Sequence, residues 1–123
     1  QLIYGVRWEP LDVLFLDMPP GTGDLHLSLC QQIGLDGAVV VTTPQDVALE
    51  DVRRGIGMYE KFGIHIYGVV ENMSYFHCPN CQHHSHIFGS GGGDRLAKEY
   101  GIPMLGAVPL AEQVRSSSDQ GTP

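Results

Sequence analysis

Short apolar runs and helix-like segments alternate along this chain, and that alternation is the strongest constraint on its fold. The runs typical of buried strands are residues 11–17, 36–43, 64–70 and 104–108. The segments with a helical pattern are residues 25–33, 48–62, 94–100 and 110–115. Strands that alternate with helices are joined by right-handed crossovers into a parallel sheet. The sequence therefore predicts an α/β fold, a parallel sheet flanked by helices on both faces.

Polar residues mark the expected ends of these helices. Asp24 and Asp46 are placed to cap the helices that follow them. After residue 115 the chain becomes polar, and we expect residues 116–123 to form a tail. Cys30, on the first helix, is expected to be a small core residue.

The size and charge of the chain exclude some classes of function. Its 123 residues suffice for one domain with a buried core. The formal net charge is −7 and the 7 basic residues are scattered, which argues against a nucleic-acid partner. No apolar run approaches the length of a membrane span, so we expect no membrane partner either. With 3 cysteines the chain lacks a disulfide framework, and a reducing, cytoplasmic location is predicted.

The apolar run at residues 11–17 ends in a carboxylate and passes directly into a turn rich in proline and glycine. Asp17 is therefore expected at the carboxyl end of a strand, the edge where open parallel sheets bind ligands. Gly21 and Gly23 allow backbone N–H groups to approach an anion closely. A carboxylate for metal-bound water beside such donors suits a magnesium-bound phosphate. A tight strand-to-helix connection with an ordinary capping Asp is the alternative.

Cys78 and Cys81 form a Cys-x-x-Cys pair, in a loop at about residues 74–93 that is rich in histidine and glycine. A thioredoxin-like redox pair would need the first thiol at a helix N-terminus, and the following residues show no helical pattern. A zinc site would need two of the nearby histidines, but His83 and His84 follow too closely for the usual spacing. An iron–sulfur cubane takes four thiolates, which two chains could supply across a two-fold axis. Spacing alone leaves these three interpretations open, and the histidines are most simply polar loop residues.

Four motifs occur in order along the chain, and together they resemble those of a known family. They are Asp-Met-Pro-Pro-Gly-Thr-Gly-Asp (17–24), Thr-Thr-Pro-Gln-Asp-Val-Ala-Leu (42–49), Glu-Asn-Met-Ser-Tyr-Phe with Cys-Pro-Asn-Cys (71–81), and Ile-Phe-Gly with its glycines (from 87). The ending at residues 119–123 is also similar. The chain, from about Trp8 onward, thus resembles the Mrp/ApbC group of iron–sulfur cluster carriers among the MinD-like P-loop ATPases. The resemblance implies a P-loop NTPase-like fold of the MinD and nitrogenase iron protein type.

The resemblance selects the iron–sulfur interpretation of the cysteine pair. It implies that Cys78 and Cys81 bind a [4Fe-4S] cluster shared across a homodimer, and that the cluster passes to apo iron–sulfur proteins. It also implies ATP and Mg²⁺ as cofactors, and ATP hydrolysis by the full-length protein. A MinD- or ParA-type positioning ATPase is the alternative function, but those relatives need no cysteine pair, and the chain lacks a basic amphipathic tail. A purely structural zinc module is a third possibility.

The same resemblance implies nucleotide contacts at other positions. Asp17 would be the catalytic residue that serves Mg²⁺ and its water shell, and Gly21 would contact the γ-phosphate. Asn72 would hydrogen-bond the adenine, since an amide presents both a donor and an acceptor. The backbone around Pro109 and Leu110 would border the base. For Asn72, a turn residue after a strand is the simpler alternative.

A phosphate-binding loop of the Gly-x-x-x-x-Gly-Lys-Ser/Thr type does not occur in the sequence. Because the family carries that loop near its N-terminus, we expect this chain to be the C-terminal part of a single P-loop ATPase domain. Phosphoryl transfer depends on the loop lysine and magnesium, so the isolated chain should neither bind ATP tightly nor hydrolyse it. Loss of the first strand should leave an apolar flank of the sheet unprotected, which predicts marginal stability or an oligomer.

Overall fold

The computed structural model describes residues 3–19, 21 and 23–121 of the chain. The strands are β1 (Ala38–Thr42), β2 (Ile66–Glu71), β3 (Phe76–His77), β4 (His84–Ser85) and β5 (Met104–Ala107). The helices are α1 (Asp24–Gln32), α2 (Asp46–Lys61), α3 (Gly92–Tyr100) and α4 (Glu112–Gln120). A parallel sheet has the strand order β1-β2-β5, and β3 pairs with β4 as a small antiparallel hairpin. The predicted parallel sheet with flanking helices is confirmed.

The core lies between the parallel sheet and the helices α2 and α3. Leu49 and Ile56 are two turns apart on α2, so both project from the helix face that packs against the sheet. Leu96 of α3 and Val69 of β2 meet them, and all four side chains are less than 2% exposed. Burial of such a side chain contributes roughly 1.5–3 kcal/mol. These contacts fix both helices against the parallel strands.

The opposite face of the parallel sheet is largely open to solvent. Val39, Val41, Tyr67 and Leu105 lie on that face, and each exposes about half of its surface. Successive side chains of a strand point to opposite faces, so helices packed on one side leave the other set uncovered. Within the described residues α2 and α3 share one face, and the expectation of helices on both faces is wrong for this part of the chain. An apolar face of the sheet is thus exposed in the described residues.

The strand predicted at residues 11–17 does not form in this structure, and that prediction is wrong. The segment is irregular, and Val13 and Phe15 expose 65% and 86% of their surface. It faces the outer edge of β1 across an open groove of about 1030 Å³, which residues 12–19 line together with β1 and α2. Parallel strands are held by backbone hydrogen bonds, and the described part of this segment pairs with no strand. An apolar composition without a pairing partner is therefore insufficient for a strand.

The first residues of two helices differ from their predicted role. Asp24 and Asp46 begin α1 and α2, whereas Gly23 and Gln45 occupy the capping positions without a side-chain cap. The predicted caps are therefore wrong by one residue. A carboxylate in the first turn still interacts favourably with the positive end of the helix dipole.

Helix α4 extends further than the sequence pattern indicates. The polar tail predicted at residues 116–123 is helical as far as Gln120. Arg115 donates to Asp119 one turn away at 2.8 Å, and pairs of this kind support an exposed helix. Apolar periodicity does not reveal this helix, because none of its residues is buried. Within residues 3–19, 21 and 23–121, no helix combines the length and the apolar character needed to cross a bilayer.

Candidate functional site

The carboxyl ends of the three parallel strands meet at one edge of the sheet. Thr42, Glu71 and Ala107 lie side by side there in register. The pairing continues past the strands, because the Asn72 amide donates to the Thr42 carbonyl at 2.7 Å and the Val108 amide donates to the Glu71 carbonyl at 2.8 Å. Open parallel sheets bind ligands at this edge. The residues that follow each strand are therefore the candidates for a functional site.

A cavity of about 270 Å³ lies at this edge of the sheet. It is lined by Gly21, Val41, Thr42, Thr43, Ala48, Asp51, Val52 and Asn72. Two residues singled out from the sequence, Gly21 and Asn72, thus share one cavity although they are distant in the chain. Gly21 has a φ of +90°, a backbone conformation that favours glycine. The side-chain oxygen of Asn72 accepts a hydrogen bond from the Met73 amide at 2.9 Å, which orients that side chain.

Asp17 lies in the larger groove that runs along β1. It is exposed, and it lines that groove together with Gly21. Pro20 and Thr22, from the same predicted phosphate-binding turn, lie outside the described residues. Gly21 therefore borders both the groove that contains Asp17 and the cavity that contains Asn72.

Pro109 and Leu110 follow β5 and lie against the start of the cysteine loop. The Leu110 amide donates to the Tyr75 carbonyl at 2.8 Å, and the Leu110 carbonyl accepts from the His77 amide at 3.4 Å. Pro109 and Leu110 are both half-buried. The segment predicted to border the adenine is thus also the segment that holds the cysteine loop to the sheet.

The cysteine loop contains the β3–β4 hairpin, which the sequence pattern does not predict. At its tip the Cys78 amide donates to the His83 carbonyl at 3.1 Å, and the Gln82 amide donates to the Cys78 carbonyl at 2.9 Å. Gln82 has a φ of +58°, an uncommon conformation that lets the chain reverse within a few residues. The hairpin therefore presents residues 78–83 as a tight turn that carries both thiols.

Both thiols of the pair are free. Cys81 is exposed and Cys78 is half-buried. Hydrogen bonds from the backbone N–H groups of Cys81 and Asn80 lower the pKa of the Cys78 thiol below its usual value. Donors of this kind stabilise a thiolate, which is the form that binds metals. By contrast, burial raises the pKa of Cys30, which packs in the core as predicted.

The chemical interpretations of the pair differ in how well they fit this geometry. Cys78 lies in a hairpin turn and not at the helix N-terminus that a thioredoxin-like redox pair requires. In the described part of the chain, no group of three or more His, Cys, Asp or Glu side chains is placed to hold a metal ion. The hairpin thus carries two free thiols on one tight turn.

Three histidines of the loop, His77, His84 and His86, make contacts within the loop. His84 stacks on Tyr75 with ring centroids 4.6 Å apart, and lies edge-on to His77 at 5.1 Å. The Nδ1 atom of His86 lies 3.2 Å from the Ser74 carbonyl oxygen. The sequence indicates only polar loop residues, because ring stacking depends on a strand pairing that the pattern does not show. The ring contacts give His77 and His84 a role in packing the hairpin.

One buried polar cluster at the base of the loop is not predicted from the sequence. Glu71 is 3% exposed and accepts hydrogen bonds from the Ser74 hydroxyl and from the Gly93 amide. The sequence signal for this cluster is the carboxylate of Glu71, which directly follows the apolar residues of β2. The strand is buried at that position. Its partners come from both sides of the cysteine loop, so spacing alone could not connect them.

Comparison with known proteins places the chain in a family. All of residues 1–123 match the ParA family that is described as NUBPL iron-transfer P-loop NTPase. The chain is 50% identical over its full length to the iron–sulfur cluster carrier protein of Pseudomonas fragi and covers 43% of that protein. It is 53% identical over its full length to the iron–sulfur cluster transfer protein NUBPL of Dictyostelium discoideum and covers 38% of it. The chain thus spans less than half the length of these relatives.

A solved structure gives the same result for the fold. The nucleotide-binding protein of Archaeoglobus fulgidus, in complex with ADP, superposes with a TM-score of 0.75 at 39% sequence identity. The match covers 85% of this chain and 43% of the other. The predicted P-loop NTPase-like fold is confirmed, and so is the resemblance to iron–sulfur cluster carriers. The chain belongs to the NUBPL iron-transfer P-loop NTPase family.

Proposed function

We propose that the full-length protein is an ATP-dependent carrier that binds a [4Fe-4S] cluster and transfers it to apo iron–sulfur proteins. The observation that carries this proposal is the hairpin, which presents the free thiols of Cys78 and Cys81 on one tight turn. Relatives named as iron–sulfur cluster carrier and transfer proteins support it. A MinD- or ParA-type positioning ATPase is not favoured, because that function leaves the paired thiols without a role.

The cluster would be held between two copies of the protein. A cubane takes four thiolates, and each hairpin offers Cys78 and Cys81. A homodimer whose two-fold axis passes between the hairpins would complete the set. Cys81 is exposed at the hairpin tip, where a second copy can approach it. A cluster bound there stays within reach of an acceptor protein, and its lability suits a reducing compartment, for which we propose the cytoplasm.

The nucleotide would bind at the carboxyl edge of the parallel sheet. Asp17 would hold Mg²⁺ and its water shell, and the Gly21 backbone would face the γ-phosphate. Asn72 would hydrogen-bond the adenine, and the backbone around Pro109 and Leu110 would border the base. The cavity shared by Gly21 and Asn72 supports this arrangement. Mg²⁺ would neutralise phosphate charge during ATP hydrolysis by the full-length protein.

Anaerobic reconstitution of the full-length protein with iron and sulfide tests the cluster proposal. The wild type should turn brown, form dimers and retain about four irons per dimer. Cys78→Ala and Cys81→Ala should each abolish the colour and the bound iron. Cys30→Ala is the matched control and should leave the colour unchanged, because that thiol lies in the core.

Three outcomes would contradict the proposal. They are a loaded protein that is monomeric, a cluster that survives loss of both hairpin thiols, and a colourless protein with tightly bound zinc. Nucleotide binding is tested separately by ATP turnover, which Asp17→Ala should abolish in the full-length protein. The isolated chain of 123 residues should show no turnover, since its sequence contains no phosphate-binding lysine loop.

A further inference from the structure

A single buried carboxylate joins the two ends of the cysteine loop. Glu71, the last residue of β2, accepts a hydrogen bond at Oε1 from the Ser74 hydroxyl at 2.5 Å. Its Oε2 accepts one from the Gly93 amide at 2.6 Å. Ser74 stands at the start of the loop, and Gly93 at its end in the first turn of α3. These three residues, here called the carboxylate clasp, therefore close the base of the loop that carries both thiols.

The start of α3 packs closely against this clasp. A Cβ added to Gly92 would lie 2.6 Å from the Pro44 carbonyl oxygen, and one added to Gly93 would lie 3.0 Å from the Glu71 Cβ. Glycine is the residue that permits such close approach of backbone segments. The glycines at the start of α3 thus allow the Gly93 amide to reach the carboxylate. It also seats the end of the loop against the turn that follows β1.

The chemistry of the clasp indicates a specific role and not simple space filling. Burying a carboxylate is costly unless hydrogen bonds replace its hydration. Both oxygens of Glu71 have such partners, and the N-terminus of α3 adds a favourable dipole. An apolar side chain could fill a core position at lower cost. What the carboxylate adds is a simultaneous connection to both ends of the loop.

We propose that Glu71 is a positioning residue that, with Ser74 and Gly93, limits the opening of the cysteine loop and thereby slows release of the bound cluster. The effect on release rests on the proposed function, whereas the effect on loop opening does not. The loop has a second attachment, since residues 74–77 share backbone hydrogen bonds with residues 108–110. Loss of the clasp should therefore loosen the loop without unfolding the sheet.

Hydrogen exchange of the metal-free, full-length protein tests the clasp without any cluster. Ser74→Ala should speed exchange of the amides in residues 75–90 roughly tenfold, the factor expected for one lost buried hydrogen bond. Glu71→Ala should speed it further. Glu71→Gln should stay closer to the wild type, because an amide side chain can still accept from the Gly93 amide and can donate to the Ser74 hydroxyl. Glu99→Gln is the matched control, since it removes an exposed carboxylate from the same helix, α3.

Cluster release is the second measurement. The loaded variants are mixed with excess iron chelator, and the loss of visible absorbance is followed. The rates should rank Glu71→Ala, Ser74→Ala, Glu71→Gln and wild type, from fastest to slowest, while the starting spectra remain alike because the thiol ligands are intact.

The results separate the clasp from a general contribution to stability. Folded Ser74→Ala and Glu71→Ala proteins with wild-type loop exchange would overturn the proposal. So would a Glu71→Ala protein in which exchange rises equally in the sheet and in the loop. If Glu71→Ala does not fold, the loop exchange of Ser74→Ala alone decides whether the clasp limits loop opening. A wild type that takes up no cluster would refute the proposed function, while the exchange measurement would still judge the clasp.

Discussion

Strand β1 and residues 11–17 are both short apolar runs, yet only β1 belongs to a sheet. β1 pairs with β2 along its whole length and places Val40 in the core. Residues 12–17 line the far side of a groove beside β1, and Phe15 exposes most of its surface. An apolar run forms a strand when a neighbouring strand provides backbone hydrogen-bond partners and when its side chains can pack in a core. The packed side of the molecule, from β1 to β5, meets both conditions; the open side, residues 3–19, does not.

The largest expected effect is the difference in stability loss between truncating a side chain on the packed side and truncating one on the open side. In the chain of 123 residues, Leu96→Ala should lower the free energy of unfolding by about 2–5 kcal/mol, because Leu96 is fully buried against Val69. Phe15→Ala should change it by less than about 0.5 kcal/mol, since Phe15 is exposed. Urea unfolding measures both. Equal losses would show that the open side is packed after all.

A second test compares two glycines of the packed side. Gly92→Ala should cost about 1–3 kcal/mol, because its Cβ would lie 2.6 Å from the Pro44 carbonyl oxygen and backbone must move. Gly57→Ala, within α2, should instead stabilise the chain by about 0.5–1 kcal/mol, since its Cβ would meet open space. Thermal or urea unfolding of the two variants gives the sign of each change. A tolerated Gly92→Ala would mean that α3 is not held tightly against the turn after β1.

The same contrast explains how much of the fold is predictable from the sequence. Helix α2 and strands β1, β2 and β5 follow from patterns that are local to each segment. The strand at residues 11–17 is predicted wrongly, because strand formation depends on a partner that a local pattern cannot supply. The length of helix α4 is underestimated from the sequence, because polar contacts on its surface stabilise it and it has no buried face.

The candidate site also contains features that the sequence predicts and features that it does not. Cys78 and Cys81 are recognisable because their spacing is local, and the structure places both on one hairpin tip. Gly21 and Asn72 come from separate motifs, and only the parallel sheet explains why they share a cavity. The link from Glu71 to Gly93 joins residues on either side of the cysteine loop, so no spacing rule predicts it. Long-range polar contacts are therefore what the sequence pattern leaves out.

A third test concerns the thiols. The N–H groups that face Cys78 lower the pKa of its thiol, whereas burial raises the pKa of Cys30. In the metal-free protein, alkylation of Cys78 should therefore reach half of its maximal rate at a lower pH than for an ordinary thiol. Cys30 should react only when the protein unfolds. Mass spectrometry of alkylated peptides over a pH series follows both sites, and a Cys78 profile like that of a free thiol would contradict the hairpin geometry.

The smallest expected effect concerns the ion pair that joins α2 to α3 on the packed side. Arg53 donates to Glu99 at 2.9 Å, and this contact lowers the pKa of the Glu99 carboxyl in the folded chain. A pKa lower in the folded than in the unfolded state means that the pair stabilises the fold above the unfolded-state pKa. That contribution is lost as the pH falls through the folded-state pKa.

Glu99→Gln should therefore lower stability slightly at neutral pH and flatten the acid limb of the stability profile. The change should be small and should shrink further in high salt, because both side chains are partly exposed. Asp51→Asn is the matched control, since its pair with Arg54 lies within α2 and joins no second helix. Urea unfolding over a pH series measures both variants. If the two variants show the same profile, joining α2 to α3 adds nothing beyond an ordinary surface pair, and the apolar core alone accounts for the packed side.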